Sequence, residues 1–286
     1  MQYLKKNRAT AFLMAILMAA FIFSGCSSDS GENGPESGET DIRPVIELTR
    51  EDRRTTSDKA SAIDLDQSGE ELLITDAGDY LLRGEMRGSI LIRAEEQIVH
   101  LFLDGVKVKS VNAPAINVES AGKVIITALP GSENTFEDGG SYIGNQCDGC
   151  IFSMCDLTIN GSGSIYVSGF YKDAVHTKDY LRITGVRLTA KAKDDGLHGN
   201  DGVLISGADV SAETEKCGIR TTKSGKARKG NIEITGSELS VIAGEHALNA
   251  SRSIYIASSR VFLKGVMSNS KAERGIYIEE GCLTNG

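Results

Sequence analysis

The chain has no Trp, only 4 Pro, and an aromatic content of 6%. Sugar faces pack on aromatic rings, so the missing indoles argue against a flat platform for crystalline cellulose. Tyr142, Tyr166, Phe170 and Tyr171 remain as candidate stacking residues. A basic excess is also lacking: 31 Lys and Arg stand against 39 Asp and Glu, for a net charge of −8. That argues against a general nucleic-acid binder, which carries a basic face. There is no long apolar run either. The longest, "ATAFLMAILMAAFIF" over 9–23, is too short for a confident membrane span. No long amphipathic helical pattern appears after residue 60. What the chain does have is glycine, 32 residues of it, and 40% hydrophobic content. Many short strands joined by turns fit that composition.

The apolar run follows Lys5, Lys6 and Arg8 and precedes "SGC" at 24–26. This resembles a bacterial lipoprotein signal, with Phe23 where leucine is usual, over 1–25. The alternative is an uncleaved signal anchor. A lipidated Cys26 holds the protein on the outer face of the cell membrane without spanning it. Residues 27–41 carry Asp29, Glu32, Glu36, Glu39 and Asp41, no base and nothing to bury. They read as a disordered tether, extended here from Cys26 to residue 60, with "ELTREDRR" able to make a short helix. Five cysteines remain, an odd number that argues against a complete disulfide framework. "CDGCIFSMC" sets Cys147, Cys150 and Cys155 close together. A zinc site there lacks a fourth ligand nearby in sequence. Buried thiols are the leading reading, with a disulfide as the alternative.

The second half repeats itself. Leu181, Val203, Ile232 and Ile254 fall in one column, and Ile183, Ile205, Ile234, Ile256 and Ile278 in another. The longer second step contains the insertion "SGKARKG" (224–230). Within a unit, Leu181 and Ile183 alternate with Arg182 and Thr184, and Leu188, Ala190 and Ala192 with Arg187, Thr189, Lys191 and Lys193. Alternation of period two means strands with one buried face. One such unit cannot bury its own face, so units stack. About 22 residues with two or three strands per unit predicts a parallel β-helix rather than a propeller. The domain spans 61–286, with "GDYLLRG", "SILIRA", "IVHLFLDGVKV", "AINVES" and "KVIITAL" as earlier strands.

"GDYLLRGEMRGSILI", "LFLDGVKV", "GSENTFEDG", "DLTINGSGSIYVSG", "DAVHTKDYLRITG" and "AKDDGLHGNDGVLISGADVSAE" resemble the carbohydrate-binding-domain-containing β-helix family of bacterial secreted proteins. The resemblance implies an all-β, right-handed parallel β-helix solenoid similar to that of pectate lyases. It also implies bound calcium and binding of plant-type polysaccharides, acidic ones included, mostly without catalysis. The chain departs from the pattern at Ala174, where glycine is usual, and at Cys217, where aspartate is. It stops at "IYIEEGCLTNG", inside another coil by its pattern. That leaves a cap to a partner or to further coils.

The repeat stacks Asp173 on Asp195, with Cys217, His246 and Ser268 continuing the column. Carboxylates about 5 Å apart repel by roughly 3 kcal/mol at an effective dielectric near 20. Protonation, a Lys or Arg, or a cation must relieve that. Asp179 and Asp201 form a second column, and Asp194 and Asn200 add oxygens. Calcium takes such ligands, so Asp173, Asp179, Asp194, Asp195, Asn200 and Asp201 are its candidates. Ordinary turn residues are the alternative. His176 and His198 stack in the next column, followed by Arg220 and Asn249, one residue after inward positions. They are expected to face outward. With Lys178, Arg220 and Lys223 they make a candidate surface for an acidic sugar; a solvated coil surface is the competing reading. Lys226, Arg228 and Lys229 of the insertion could add to it. The expected function is a surface-anchored, calcium-holding polysaccharide binder. The alternatives are a calcium-dependent lyase, with Lys178, Lys193 or Arg220 as base, and a structural or adhesive solenoid.

Overall fold

The computed structural model describes residues 44–142, 147–225 and 228–284. The signal segment, Cys26 and the first part of the tether lie outside them, as does Lys226. Among the described residues no helix is long and apolar enough to cross a membrane.

Every recorded strand pairing is parallel and joins one coil to the next. The chain forms a parallel β-helix with three strand-bearing faces. The first face stacks Lys123–Ala128, Asp156–Gly161, Tyr180–Thr184, Gly202–Ser206, Asn231–Thr235 and Ser253–Ala257. The second stacks Glu133–Glu137, Ser164–Gly169, Arg187–Ala192, Asp209–Thr214, Glu238–Ala243 and Arg260–Gly265. The long strands Gly78–Met86 and Ile98–Lys109 run through both, so the two faces form one 17-stranded sheet. A separate 9-stranded sheet makes the third face. It includes Ile116–Ser120, Gly149–Ser153, Asp173–Thr177, Leu197–Gly199, Ile219–Arg220 and His246–Ala250.

The register is the one the repeat predicts. Leu181 pairs with Val203, Val203 with Ile232 and Ile232 with Ile254. All four side chains are fully buried, each contributing about 1.5–3 kcal/mol of apolar burial. The seven-residue insertion falls at the corner between the third and first faces, so it leaves the register intact. Gly185, Gly207 and Gly236 repeat a left-handed turn (φ +72°, +62°, +58°), and Ser258 adopts it one coil on (φ +53°). Glycine carries that conformation without the steric cost a Cβ brings. Cys150, Cys155, Cys217 and Cys282 are buried thiols, Cys147 is half-buried, and no disulfide joins any of them.

The tether ends earlier than its composition suggests. Residues 45–54 are a strap along the first face, with one short 3₁₀ turn over Glu51–Arg53. Glu233 accepts the Val45 and Ile46 N–H groups at 2.7 and 3.0 Å. Arg182 donates to the Glu47 carbonyl at 3.1 Å, which explains why this outward-pointing residue is buried. The buried Asp52 carboxylate accepts from Lys123, Thr158 and the Thr49 hydroxyl at 2.6–2.8 Å. Burial alone raises its pKa, but these donors outweigh it and hold Asp52 at about 2. Arg54 closes the strap with a two-pronged pair on Asp79 at 2.6 and 2.7 Å.

Candidate functional site on the third face

On the third face Val175, Leu197, Ile219 and Leu248 point inward and are fully buried. The residue after each points out, giving a row in which Asn117 pairs with Phe152 and Phe152 with His176. His198, Arg220 and Asn249 continue it. The repeat therefore places its columns correctly. It does not predict their cover. His176 and His198 are only 3% and 7% exposed rather than open to solvent. Their rings lie 4.1 Å apart and nearly parallel, with Phe152 edge-on to His176 at 5.6 Å. Asn200 and Lys178 close over His176, and Thr222 over His198.

Asp173 stands beneath the pair. One carboxylate oxygen accepts the Asp195 N–H at 2.9 Å. The other lies 3.1 Å from His176 Nδ1 and 3.2 Å from His198 Nδ1. Asp195 repeats the pattern one coil on: Oδ1 accepts the Cys217 N–H and Oδ2 the Arg220 guanidinium, both at 3.0 Å. Each aspartate thus caps a backbone donor of the next coil and faces a base. Protein groups offset part of the expected repulsion. Burial works against an ionised Asp173, but the two imidazoles outweigh it and hold its pKa at about 2. Burial, and then the charge of Asp173, push Asp195 up. His176 is pushed down, chiefly by burial. Cys217 ends the ladder, its sulfur 3.5 Å from the Asn249 amide.

Two groups of possible metal ligands share Asp173. The first is Asp173, His176 and His198, with ligand atoms within 4.8 Å of one another. Its rings are nearly parallel, and both Nδ1 atoms meet the same Asp173 oxygen at 3.1 and 3.2 Å. The second is Asp173, Asp194 and Asp195, whose oxygens converge equally closely. That set has the hard oxygen chemistry calcium takes. Lys216 faces Asp194 at 2.7 Å and Arg220 faces Asp195, both with side chains open enough to swing aside.

Of the six expected calcium ligands, Asp173, Asp194 and Asp195 form one such group. Asp179 and Asp201 sit at the opposite end of their strands and join no such group among the described residues. Burial, then the charges of Asp201 and Asp156, raise Asp179. Asp201 is buried and paired with Lys229. Asn200 accepts from Thr222 at 2.9 Å and approaches His176. In the insertion, Arg228 approaches Glu47 at 3.7 Å, both side chains exposed, and its carbonyl accepts from the Tyr180 hydroxyl at 3.2 Å. Lys223 and Lys193 are exposed. Burial opposes the charge on Arg220, but Asp195 outweighs it and raises its pKa.

The sequence reading missed the feature beside His176. A recess of about 600 Å³ opens there, lined by Asn117, Asp148, Phe152, Tyr171, Lys172 and Lys178 among others. Tyr171 leans on Tyr142 at 4.3 Å, and Asp138 and the Gly149 carbonyl hold the Tyr142 hydroxyl. Phe170 is 52% exposed beside Lys193 in a second, smaller recess, and Tyr166 lies on the second face. Extending the histidine column back one coil finds Phe152. The irregular step there, and the cysteines around it, hid the link.

A family model described as carbohydrate-binding domain-containing protein matches residues 68–280. The chain belongs to that family. A carbohydrate-binding domain-containing protein of Acetivibrio thermocellus is 30% identical over 283 residues, 95% of this chain and 96% of the relative. A solved structure, that of the polysaccharide lyase-like protein from C. thermocellum as a gadolinium derivative, superposes with a TM-score of 0.75. It is 31% identical and covers 78% of this chain and 97% of its own. For this member of the carbohydrate-binding domain family, the third face carries an accessible recess where aromatic rings, lysines and carboxylates meet.

Proposed function

We propose that this protein binds a uronate-bearing polysaccharide along the third face without cleaving it, from a position lipid-anchored through Cys26 on the outer surface of the cell membrane. The observation that carries the reading is the recess beside His176. There Lys172 and Lys178 stand over Tyr171 and Phe152, each 5.3 Å from the ring. Aromatic walls with ammonium groups suit a sugar ring that bears a carboxylate. The row Phe152, His176, His198 and Arg220 extends the contact along the coil axis, and Lys223 adds charge at its edge. Asp173, Asp194 and Asp195 would hold calcium, which would supply positive charge next to this row. Calcium there would take the place of Lys216 and Arg220 as the partner of these carboxylates.

Incubation of the purified protein with polygalacturonate, with and without calcium, tests the reading. Retention of the protein on the polymer without growth of the unsaturated-product absorbance is the expected result. Steady growth of that absorbance would overturn the non-catalytic reading, and absence of retention would overturn the binding one. Lys178, Lys193 and Arg220 are the residues to substitute in the first case.

A further inference from the structure

We infer that Asp148 is a built-in competitor for the recess: its carboxylate stands where the carboxylate of an acidic sugar binds, and so sets the affinity and charge selectivity of the site. The inference rests on the acidic-polysaccharide reading above. Asp148 lies just before the strand Gly149–Ser153, and its carbonyl accepts the Asp173 N–H at 2.9 Å, which fixes the main chain there. One carboxylate oxygen is 2.5 Å from Lys172 Nζ and the other 3.9 Å from Lys178 Nζ. The lysines flank the strand Asp173–Thr177, one before it and one after.

Two ammonium groups, each over an aromatic ring, therefore converge on one carboxylate at the mouth of a recess. All three charged side chains are about a third exposed, unlike the buried Asp52 cluster. Exposed pairs of this kind add little to stability, so fold integrity does not account for the arrangement. The other acidic group lining the recess, Glu119, is paired with Arg93 at 2.6 Å and leaves the lysines to Asp148. The volume is far larger than the Asp148 side chain and falls within the range of small-ligand sites. An incoming uronate can exchange with Asp148 for the same two cations. Exchange keeps the lysines paired in the empty protein and lowers the affinity for anionic ligands. Neutral sugars, which do not need the ammonium groups, are left unaffected.

The test is calorimetric titration with a galacturonate hexamer and with cellohexaose, at fixed salt, on wild-type protein, Asp148→Asn and Asp148→Ser. Both variants should bind the acidic hexamer about tenfold tighter, with a steeper loss on adding salt and no change for cellohexaose. Lys172→Gln and Lys178→Gln should each weaken the acidic hexamer several-fold, and should cancel the gain when combined with Asp148→Asn. Wild-type binding of the acidic hexamer that neither Asp148 variant strengthens, with melting temperatures unchanged, would overturn the inference and leave the acidic-polysaccharide reading standing. No binding by wild type or by either variant would overturn both.

Discussion

Raising the pH through neutrality should weaken this fold at one identifiable carboxyl group, Glu233. The side chain is 1% exposed beneath the strap, where it accepts the Val45 and Ile46 N–H groups. Burial pushes its pKa from an ordinary 4.5 to about 7, and the two N–H donors and Arg228 offset only part of that. The sign follows from proton binding. Between pH 4.5 and 7 the folded protein keeps this proton and the unfolded chain has lost it, so stability falls as pH rises across that window. The gap corresponds to about 3 kcal/mol, lost in full by about pH 8. Glu233→Gln has no such charge to bury. Its stability relative to wild type should improve by about 3 kcal/mol between pH 5 and pH 8.5. For a chain of this size that is a melting-temperature difference of about 6–12 °C opening with pH. Thermal melts across that range measure it. A constant offset between the two proteins reports only the altered hydrogen bonding of the amide. Parallel pH profiles for wild type and Glu233→Gln would refute the reasoning.

Asp52→Ala should cost about 3–5 kcal/mol in urea unfolding, because it leaves Lys123, 13% exposed, without its counter-charge and undoes the strap turn. In wild type the lowered pKa of Asp52 means this contribution is present above about pH 4 and fades as pH falls toward 2, visible as acid sensitivity that the variant lacks. Gly139→Ala would set a Cβ 1.6 Å from the Val111 carbonyl oxygen, so a loss of about 1–3 kcal/mol or more is expected by the same method. If Asp173, Asp194 and Asp195 hold calcium, calcium should raise the melting temperature of wild type and have little effect on Asp195→Ala. An undiminished rise in the variant would put the ion elsewhere.

What the sequence made legible was the period. Columns such as Leu181, Val203, Ile232 and Ile254 need only alternation and a constant step, and the structure reproduces them through the insertion. Alternation tells which side of the sheet a residue takes, not what lies over it. Arg182, His176 and His198 all take the outer side, yet all are buried. Strap residues cover the first, and Asn200, Lys178 and Thr222 close over the others. The strap was hidden because it docks with backbone N–H and C=O groups and with Asp52, leaving little apolar pattern to read. The same holds for the recess. Its parts come from residues 117, 148–152 and 171–178, on three successive coils, and no short motif joins them.

Column chemistry also explains why the stretch around Asp194 and Asp195 has two meanings at once. In a stacked coil every carboxylate meets its copy one turn on, so a repeated Asp carries a charge penalty that the fold must meet. A divalent cation would meet it from outside, while His176, His198 and Arg220 meet it from within. Where Asp gives way to Cys217, the need ends, and the next coil carries Asn249 in place of a base. The aspartates and bases therefore vary together along the third face. That coupling ties the calcium question to the glycan question. Any ion that enters at Asp195 releases Arg220, the charged residue of the row, toward whatever ligand lies along it.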